Sequence, residues 1–244
     1  MLGNEYTAHD PDIYDVHTMV VDPLLFYNAG TQSRFGIDWQ SPSWGGFTLE
    51  ANYSGNKDAS TPGDEQAYGI QADYSNYGIE ASLGYSKQQD GMFNGDKHEH
   101  TVLSAALAYK WEGDGFWIRP AVLWESREVA IDMNVASTTL TSYTGTLNGD
   151  VDRDQDHYAL NLGVGFGAST INAFYSKLSK MDVSYANTAD GTSGTVNNTN
   201  DSAYGIEYLY SLSSRTSLGL GYSKMNDKNG ANPAYFGIGI AHTF

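Results

Sequence analysis

The last ten residues of the chain alternate between large apolar and small side chains. The large ones, Phe236, Ile238, Ile240 and Phe244, fall on even positions, and Gly, Ala and Thr stand between them. A period of two residues is typical of a β-strand, because successive side chains point to opposite faces. A strand of about ten residues with an apolar outer face has the length that crosses a bilayer as a tilted barrel strand.

The same alternation recurs from Ser33 onward and predicts about eleven strands. They lie near residues 33–40, 47–54, 68–74, 79–85, 103–111, 116–125, 158–166, 171–178, 204–210, 218–222 and 235–244. The connections alternate between short and long, which is the layout of a meander with short periplasmic turns and longer outer loops. We therefore predict an all-β fold, an antiparallel transmembrane β-barrel. A soluble sandwich or barrel is the alternative, but it would pack bulky apolar residues inward.

The face opposite the apolar one consists of Gly, Ser, Thr, Asn and acidic residues, so we expect it to border a water-filled lumen. The longer connections, near 88–96, 129–154 and 181–201, are predicted to be polar loops. A two-residue turn is predicted at 76–77. Pro120 lies inside a predicted strand, where it removes one ladder hydrogen bond.

Composition narrows the classes of function. The chain has 29 acidic and 13 basic residues, which argues against a nucleic-acid partner. No apolar run approaches the ~20 residues of a membrane helix, so a membrane crossing must use strands. Residues 1–30 show no alternation and no Lys or Arg, and we interpret them as an acidic loop ahead of one strand domain over 31–244. The acidic residues of this loop include Asp10, Asp12, Asp15 and Asp22.

Several motifs admit a chemical role but favour a structural one. Residues 163–168 spell the dinucleotide fingerprint, but the segment that follows is strand-like and the fingerprint needs a helix there. Asp150, Asp152, Asp154 and Asp156 alternate like a calcium loop, but Gln155 and Asn161 stand where Gly and Glu are required. Solvated loop charge is the default, and loose divalent-cation binding is the alternative.

No catalytic, cofactor or metal site is predicted from the remaining residues. His98 and His100 share a strand face, but no third ligand is visible. No Gly-x-Ser-x-Gly elbow occurs, and no Ser, His and Asp set can be assembled from spacing. The prediction is therefore that the protein is not an enzyme. An outer-membrane β-barrel hydrolase and a non-channel structural barrel are the alternative functions.

Three segments resemble the general (non-specific) porins of the Gram-negative outer membrane. Residues 33–47 are similar to the strand–turn–strand that follows the pore-constricting loop in that family. Residues 204–222 are similar to the penultimate hairpin, and the strand ending at Phe244 is similar to the closing strand with its terminal assembly signal. The resemblance covers the chain from about Asp22 to its end.

This resemblance implies a water-filled channel for passive diffusion of small hydrophilic solutes and ions. Family porins have sixteen strands with the constriction loop after the fifth, so eleven strands imply an incomplete barrel. We expect roughly a hundred further residues ahead of Met1, and no working pore from these 244 residues alone. The full-length protein is expected to be a homotrimer in contact with outer-membrane lipid and lipopolysaccharide.

The resemblance also implies which residues line the pore. The constriction loop would supply Asp10, Asp12, Asp15 and Asp22. The wall would carry Arg34, Asp38, Glu50 and Arg119. For Arg34, a salt bridge with Asp38 on the wall is an equal alternative. Because acidic residues outnumber basic ones, we expect a mild preference for cations.

Overall fold

The computed structural model describes residues 2–5, 34–56, 65–93, 96–140, 143–179, 182–186, 193–197, 202–226 and 232–243. These residues form strands, turns and short irregular segments. No helix long and apolar enough to cross a membrane occurs among them. The first eight strands are β1 (Leu2–Glu5), β2 (Arg34–Gln40), β3 (Phe47–Asn56), β4 (Glu65–Asn76), β5 (Ile79–Phe93), β6 (Asp96–Tyr109), β7 (Trp111–Gly113) and β8 (Phe116–Leu140). The others are β9 (Tyr143–Phe166), β10 (Ser169–Leu178), β11 (Asp182–Ala186), β12 (Ser193–Asn197), β13 (Ser202–Ser213), β14 (Thr216–Asn226) and β15 (Ala234–His242).

The strands form one antiparallel sheet that follows the order of the chain, except that β7 and the β11–β12 pair lie off the main path. Its order is β1-β2-β3-β4-β5-β6-β8-β9-β10-β13-β14-β15. The eleven predicted strands correspond to β2–β6, β8–β10 and β13–β15, so the predicted all-β meander is confirmed. Within the described residues no pairing joins the two outermost strands, β1 and β15, so the sheet is open there.

Three long connections contain more strand than the sequence predicted. β8 and β9 continue to Leu140 and Tyr143 as one hairpin, and β5 and β6 pair as far as Phe93 and Asp96. β11 and β12 form a further hairpin that pairs with β9. Polar composition suggested loops, but Thr and Val between 129 and 147 favour strands, and the extending partner strand satisfies their backbone groups.

The beginning of the chain also differs from expectation. Leu2–Glu5 form β1, which pairs with β2 so that Glu5 lies opposite Arg34. The rest of the predicted acidic loop, including its four Asp residues, lies outside the described residues, as does Phe244. The assignment of residues 1–30 as a constriction loop therefore stays a prediction.

Pro120 explains why β7 is separate from β6. Ala108 pairs with Ala121 and Trp111 with Ile118, which is a single continuous register. In that register Tyr109 faces Pro120, which has no N–H to donate. The hydrogen-bond ladder along β8 is interrupted at this proline and resumes at β7, and β8 itself continues through it.

The β4–β5 turn lies one residue later than predicted. Tyr77 and Gly78 occupy it with φ of 54° and 77°, which is the backbone of a two-residue hairpin turn with positive φ at both positions. A Cβ on Gly78 would lie 2.4 Å from the carbonyl oxygen of Lys110. Position 78 therefore requires glycine for two reasons: its φ is positive, and the carbonyl of Lys110 leaves no room for a side chain.

Burial in this sheet is the reverse of that in a soluble protein. Large apolar side chains at alternate positions are exposed, among them Leu83, Leu160 and Ile238. Polar and charged side chains of the opposite face are buried, including Glu125 and His157 at 0% and 2% exposure. A face of exposed Leu, Ile and aromatic residues requires an apolar solvent, whereas the buried polar face requires partners within the protein or water.

Candidate functional site: the inner wall of the sheet

The face that carries the buried polar residues is called here the inner wall, and the apolar face is called the outer face. Charged residues on the outer face are confined to its ends. At the end with the long connections, Lys87 forms a salt bridge to Glu99 at 2.5 Å, and this bond raises the pKa of the lysine. Between this end and the short turns, the described outer face of the long strands β4–β10 is uncharged, which fits an apolar band.

A salt bridge between strands β5 and β8 crosses the inner wall. Arg119 Nη2 lies 2.5 Å from Glu80 Oε2, although the two residues are 39 positions apart. Strand β6 passes between them and places Ala108 opposite Glu80. Because Ala108 is small and nearly fully buried, the two long side chains meet over it. Arg119 was predicted to face the lumen, and it lies on the inner wall.

A second charged pair lies farther toward the long connections. Arg127 donates a hydrogen bond to Glu125 two residues earlier on the same face of β8. Glu125 is fully buried, whereas Arg127 keeps a quarter of its side chain exposed. The carboxylate therefore depends on the guanidinium for much of its stabilisation.

Next to this pair, the structure brings together a histidine and a serine that the sequence did not connect. His157 lies opposite Glu125 in the β8–β9 register, and its Nε2 is 2.6 Å from Oγ of Ser176 on β10. Both side chains are buried, Ser176 completely. The contact ties β9 to β10 on the inner wall. Only the strand register makes it visible, because 19 residues separate the partners.

An aromatic residue covers the glycines of the apparent dinucleotide motif. Gly163 and Gly165 lie on β9, and a Cβ on either would meet the indole ring of Trp117 at 2.8 Å or less. The Nζ atom of Lys110 lies 5.6 Å from the centroid of the same ring, within the range of a cation–π contact. These glycines make room for Trp117 on the wall, and no helix follows them.

The inner wall is acidic overall. Each basic side chain that the structure describes on it pairs with a glutamate: Lys110 with Glu112, Arg119 with Glu80 and Arg127 with Glu125. The same face carries further carboxylates, Asp38, Glu50, Asp73 and Glu207. The excess of carboxylates gives the wall a negative charge.

The structure places some of the predicted site residues and leaves others outside the described part. Asp38 and Glu50 lie on the inner wall, and Gln40 donates a hydrogen bond to Glu50. Arg34 is described only as backbone, so neither its predicted pore role nor its salt bridge with Asp38 is tested. The part played by all of these residues in ion passage stays a prediction.

One residue of the alternating acidic motif, Asp156, has hydrogen-bond partners in this fold. The two carboxylate oxygens of Asp156 accept hydrogen bonds from Trp124 Nε1 at 3.3 Å and from the Tyr158 hydroxyl at 3.2 Å. Within the described ranges no group of three or more His, Cys, Asp or Glu side chains is arranged to hold a metal ion.

A known structure shares this fold. The loop L8 deletion mutant of OmpT, an outer membrane protein of Vibrio cholerae, superposes with a TM-score of 0.67 at 12% identity, covering 99% of this chain and 74% of that one. The outer membrane transporter YddB from Escherichia coli gives 0.47 at 12% identity and covers 87% and 37%. No curated protein matches the sequence.

The sequence-based prediction about catalysis was also wrong. The chain was predicted not to be an enzyme, partly because no Ser and His set could be assembled from spacing. The shared fold with OmpT overturns that exclusion, because barrels of one architecture host different activities and the fold alone cannot decide among them. The contact between His157 and Ser176 also shows that spacing was an insufficient test.

Sequence comparison agrees with the architecture. The profile of the Gram-negative porin family matches residues 1–230, which is most of the 244 residues. The family match, the apolar outer face and the fold shared with an outer membrane protein together indicate the outer membrane as the location of this protein. The chain belongs to the Gram-negative porin family.

Proposed function

We propose that the protein forms a water-filled channel for passive diffusion of small hydrophilic solutes and ions. The observation that supports this most is the reversed burial, in which charged and polar side chains line one face of strands whose other face is apolar. Oxygen atoms of Asn161 and Asn172 on this wall have no hydrogen-bond partner among the described residues. Because an unpaired buried polar group costs about 1–3 kcal/mol, we propose that lumen water serves them.

The charge arrangement supports a general channel with a mild cation preference. The wall charges that form salt bridges pair with one another along the sheet, as in Arg119–Glu80 and Arg127–Glu125, and are not gathered around one ligand-sized position. The excess carboxylates lower the energy of a passing cation and raise that of an anion. We further propose that Asp10, Asp12, Asp15 and Asp22 narrow the path opposite Arg34, as the family resemblance implies.

The open edges of the sheet support a larger assembly. Unpaired backbone groups cost several kcal/mol each in hydrocarbon, so an open edge must be paired in the membrane. We propose that further strands close the ring into a sixteen-stranded barrel and that three such barrels associate. The protein purified from outer membranes, and not these residues in isolation, is therefore the material for functional tests.

Planar-bilayer recording tests the proposal. We expect discrete conductance steps and, under a potassium chloride gradient, a reversal potential of the sign for cation preference. Replacing Glu80 by Gln should reduce that preference, because it removes one negative charge from the inner wall and leaves the charge of Arg119 in place. Replacing Glu99 by Gln on the outer face is the matched control and should leave selectivity unchanged. Absence of conductance from correctly folded protein would contradict the channel.

A further inference from the structure

The indole ring of Trp117 lies along the inner wall above two glycines. A Cβ on Gly165 would meet its Nε1 atom, and a Cβ on Gly163 would lie 2.8 Å from its Cζ3 atom. The pyrrole end of the ring therefore covers Gly165 and the six-membered end covers Gly163, so the ring extends along β9. Trp117 is half-buried, and part of the ring stays accessible from the lumen.

Polar side chains surround the six-membered end of this ring. In the strand registers, Arg119 of β8 and Asn172 of β10 lie on either side of Gly163. Asn161 is the next residue along β9 that faces the inner wall. The Cβ position of Gly163, which is 2.8 Å from the ring, is also 3.4 Å from Oδ1 of Asn172. The amide oxygen of Asn172 therefore lies beside the edge of the ring.

The two amides carry acceptor atoms that the fold does not use. Asn161 and Asn172 are each 4% exposed, and within the described residues neither Oδ1 atom has a hydrogen-bond partner. Glu207 of β13 lies opposite Asn172 and adds a buried carboxylate on the side away from the ring. A buried acceptor without a partner is unfavourable, so a donor that approaches from the lumen is stabilised there. Water can be that donor in the empty channel, and a ligand hydroxyl group can replace it.

The other charges near the ring are paired. Arg119 forms its salt bridge with Glu80. Lys110, whose Nζ atom lies 5.6 Å from the ring centroid, forms a salt bridge with Glu112 at 2.6 Å. Two such pairs carry no net charge, so they favour neither an anion nor a cation at the ring. Their N–H groups can still donate hydrogen bonds to a neutral polar ligand.

We propose that this site binds a pyranose ring of a neutral saccharide on its way through the lumen. A pyranose with equatorial hydroxyl groups has axial C–H bonds on its faces and hydroxyl groups around its edge. The C–H face packs on the indole of Trp117, and the hydroxyl groups donate to the amide oxygens of Asn161 and Asn172. Arg119 donates to a hydroxyl oxygen on the other side. The inference rests on the proposed channel, through which the saccharide reaches the site, and it adds a saturable binding step to unselective diffusion.

Planar-bilayer recording of the protein purified from outer membranes tests the site. The probe is cellotriose, a chain of β-linked glucose rings, and a polyethylene glycol of similar mass is the comparison without hydroxylated rings. Cellotriose should reduce the channel current in a saturable manner, whereas polyethylene glycol should reduce it in proportion to its concentration. Isothermal titration calorimetry of the same protein in detergent measures the affinity without an ion current.

Variants separate the stacking surface from the acceptors. Trp117→Leu should weaken cellotriose binding about tenfold, because it removes the ring, and Trp117→Phe should recover part of that loss. Asn172→Leu should weaken binding about fivefold through the loss of one acceptor. Trp111→Leu is the matched control, because Trp111 lies at the same level of the neighbouring strand β7 but on the outer face. It should leave the affinity unchanged.

The two assays distinguish failure of the site from failure of the channel. Ion current without saturable cellotriose binding would overturn the saccharide site and leave the channel in place. Saturable heat of binding without ion current would support the site and contradict the channel. Unchanged affinity in both Trp117→Leu and Asn172→Leu, with the β content of the wild type by circular dichroism, would also overturn the site.

Discussion

The two faces of the same strands differ in exposure. On β9, Leu160 is 55% exposed on the outer face, while the adjacent Ala159 and Asn161 are almost fully buried on the inner wall. Neighbours in sequence therefore have different surroundings: outer-face residues contact lipid, whereas the inner wall holds salt bridges such as Arg119–Glu80. In soluble proteins apolar side chains are buried and polar side chains are exposed. Here that arrangement is reversed because the apolar face contacts lipid, and not because the chain has an unusual composition.

The largest effect is expected on the inner wall, from breaking its buried ion pair. Arg127→Met should lower the free energy of unfolding by about 3–5 kcal/mol, because it leaves the fully buried carboxylate of Glu125 without its guanidinium. The double variant Glu125→Gln/Arg127→Met should be much less destabilised. Urea unfolding from lipid vesicles measures both. A single-variant cost below about 1 kcal/mol would mean that water already solvates Glu125.

A charge on the outer face should have the next largest effect. Ile238→Arg should cost about 2–4 kcal/mol, because Ile238 is 77% exposed to the apolar side of β15. Gly239→Arg on the opposite face is the matched control, and it should cost less and change conductance. The same unfolding assay compares them, and equal costs would show that the two faces are assigned incorrectly.

Two turn glycines separate the cost of positive φ from the cost of a steric contact. Gly78→Ala and Gly115→Ala both place an alanine at positive φ, 77° and 79°, which costs about 1–2 kcal/mol. A Cβ at position 78 would lie 2.4 Å from the carbonyl oxygen of Lys110, whereas a Cβ at position 115 would have no described atom within 4 Å. Gly78→Ala should therefore be the more destabilising in thermal unfolding. Equal melting temperatures for the two variants would show that the segment at Lys110 moves away from the new Cβ with no loss of stability.

The smallest effect is expected at the solvated end of the outer face. Lys87→Gln should cost about 0.2–1 kcal/mol, because its salt bridge with Glu99 is partly exposed and screened. The raised pKa of Lys87 sets the sign of the pH dependence. The contribution is complete below the unfolded lysine pKa of 10.5 and is lost as the pH rises through the higher folded value. A difference between wild type and variant that grows above pH 10.5 would contradict this.

The sequence by itself determined the strands and their faces. Alternation with a period of two is a local property, so the positions of Leu160 and Asn161 on opposite faces followed directly from their neighbours. Glycines 163 and 165 were assigned a structural role because no helix pattern followed them, and their missing side chains leave space on β9. The pattern could not show that Trp117 fills that space, since the indole belongs to another strand.

The tertiary structure decided which residues meet across strands. Pairing depends on register, and register depends on the lengths and conformations of the connections, which carry no period. The Arg119–Glu80 bridge and the contact between His157 and Ser176 therefore appear only once the strands are aligned. The long connections also depend on pairing across strands. Their polar composition predicted loops, but β8 and β9 pair with each other through this region and form strands. Local alternation thus fixed which solvent each side chain faces, and the register of the sheet fixed its partners.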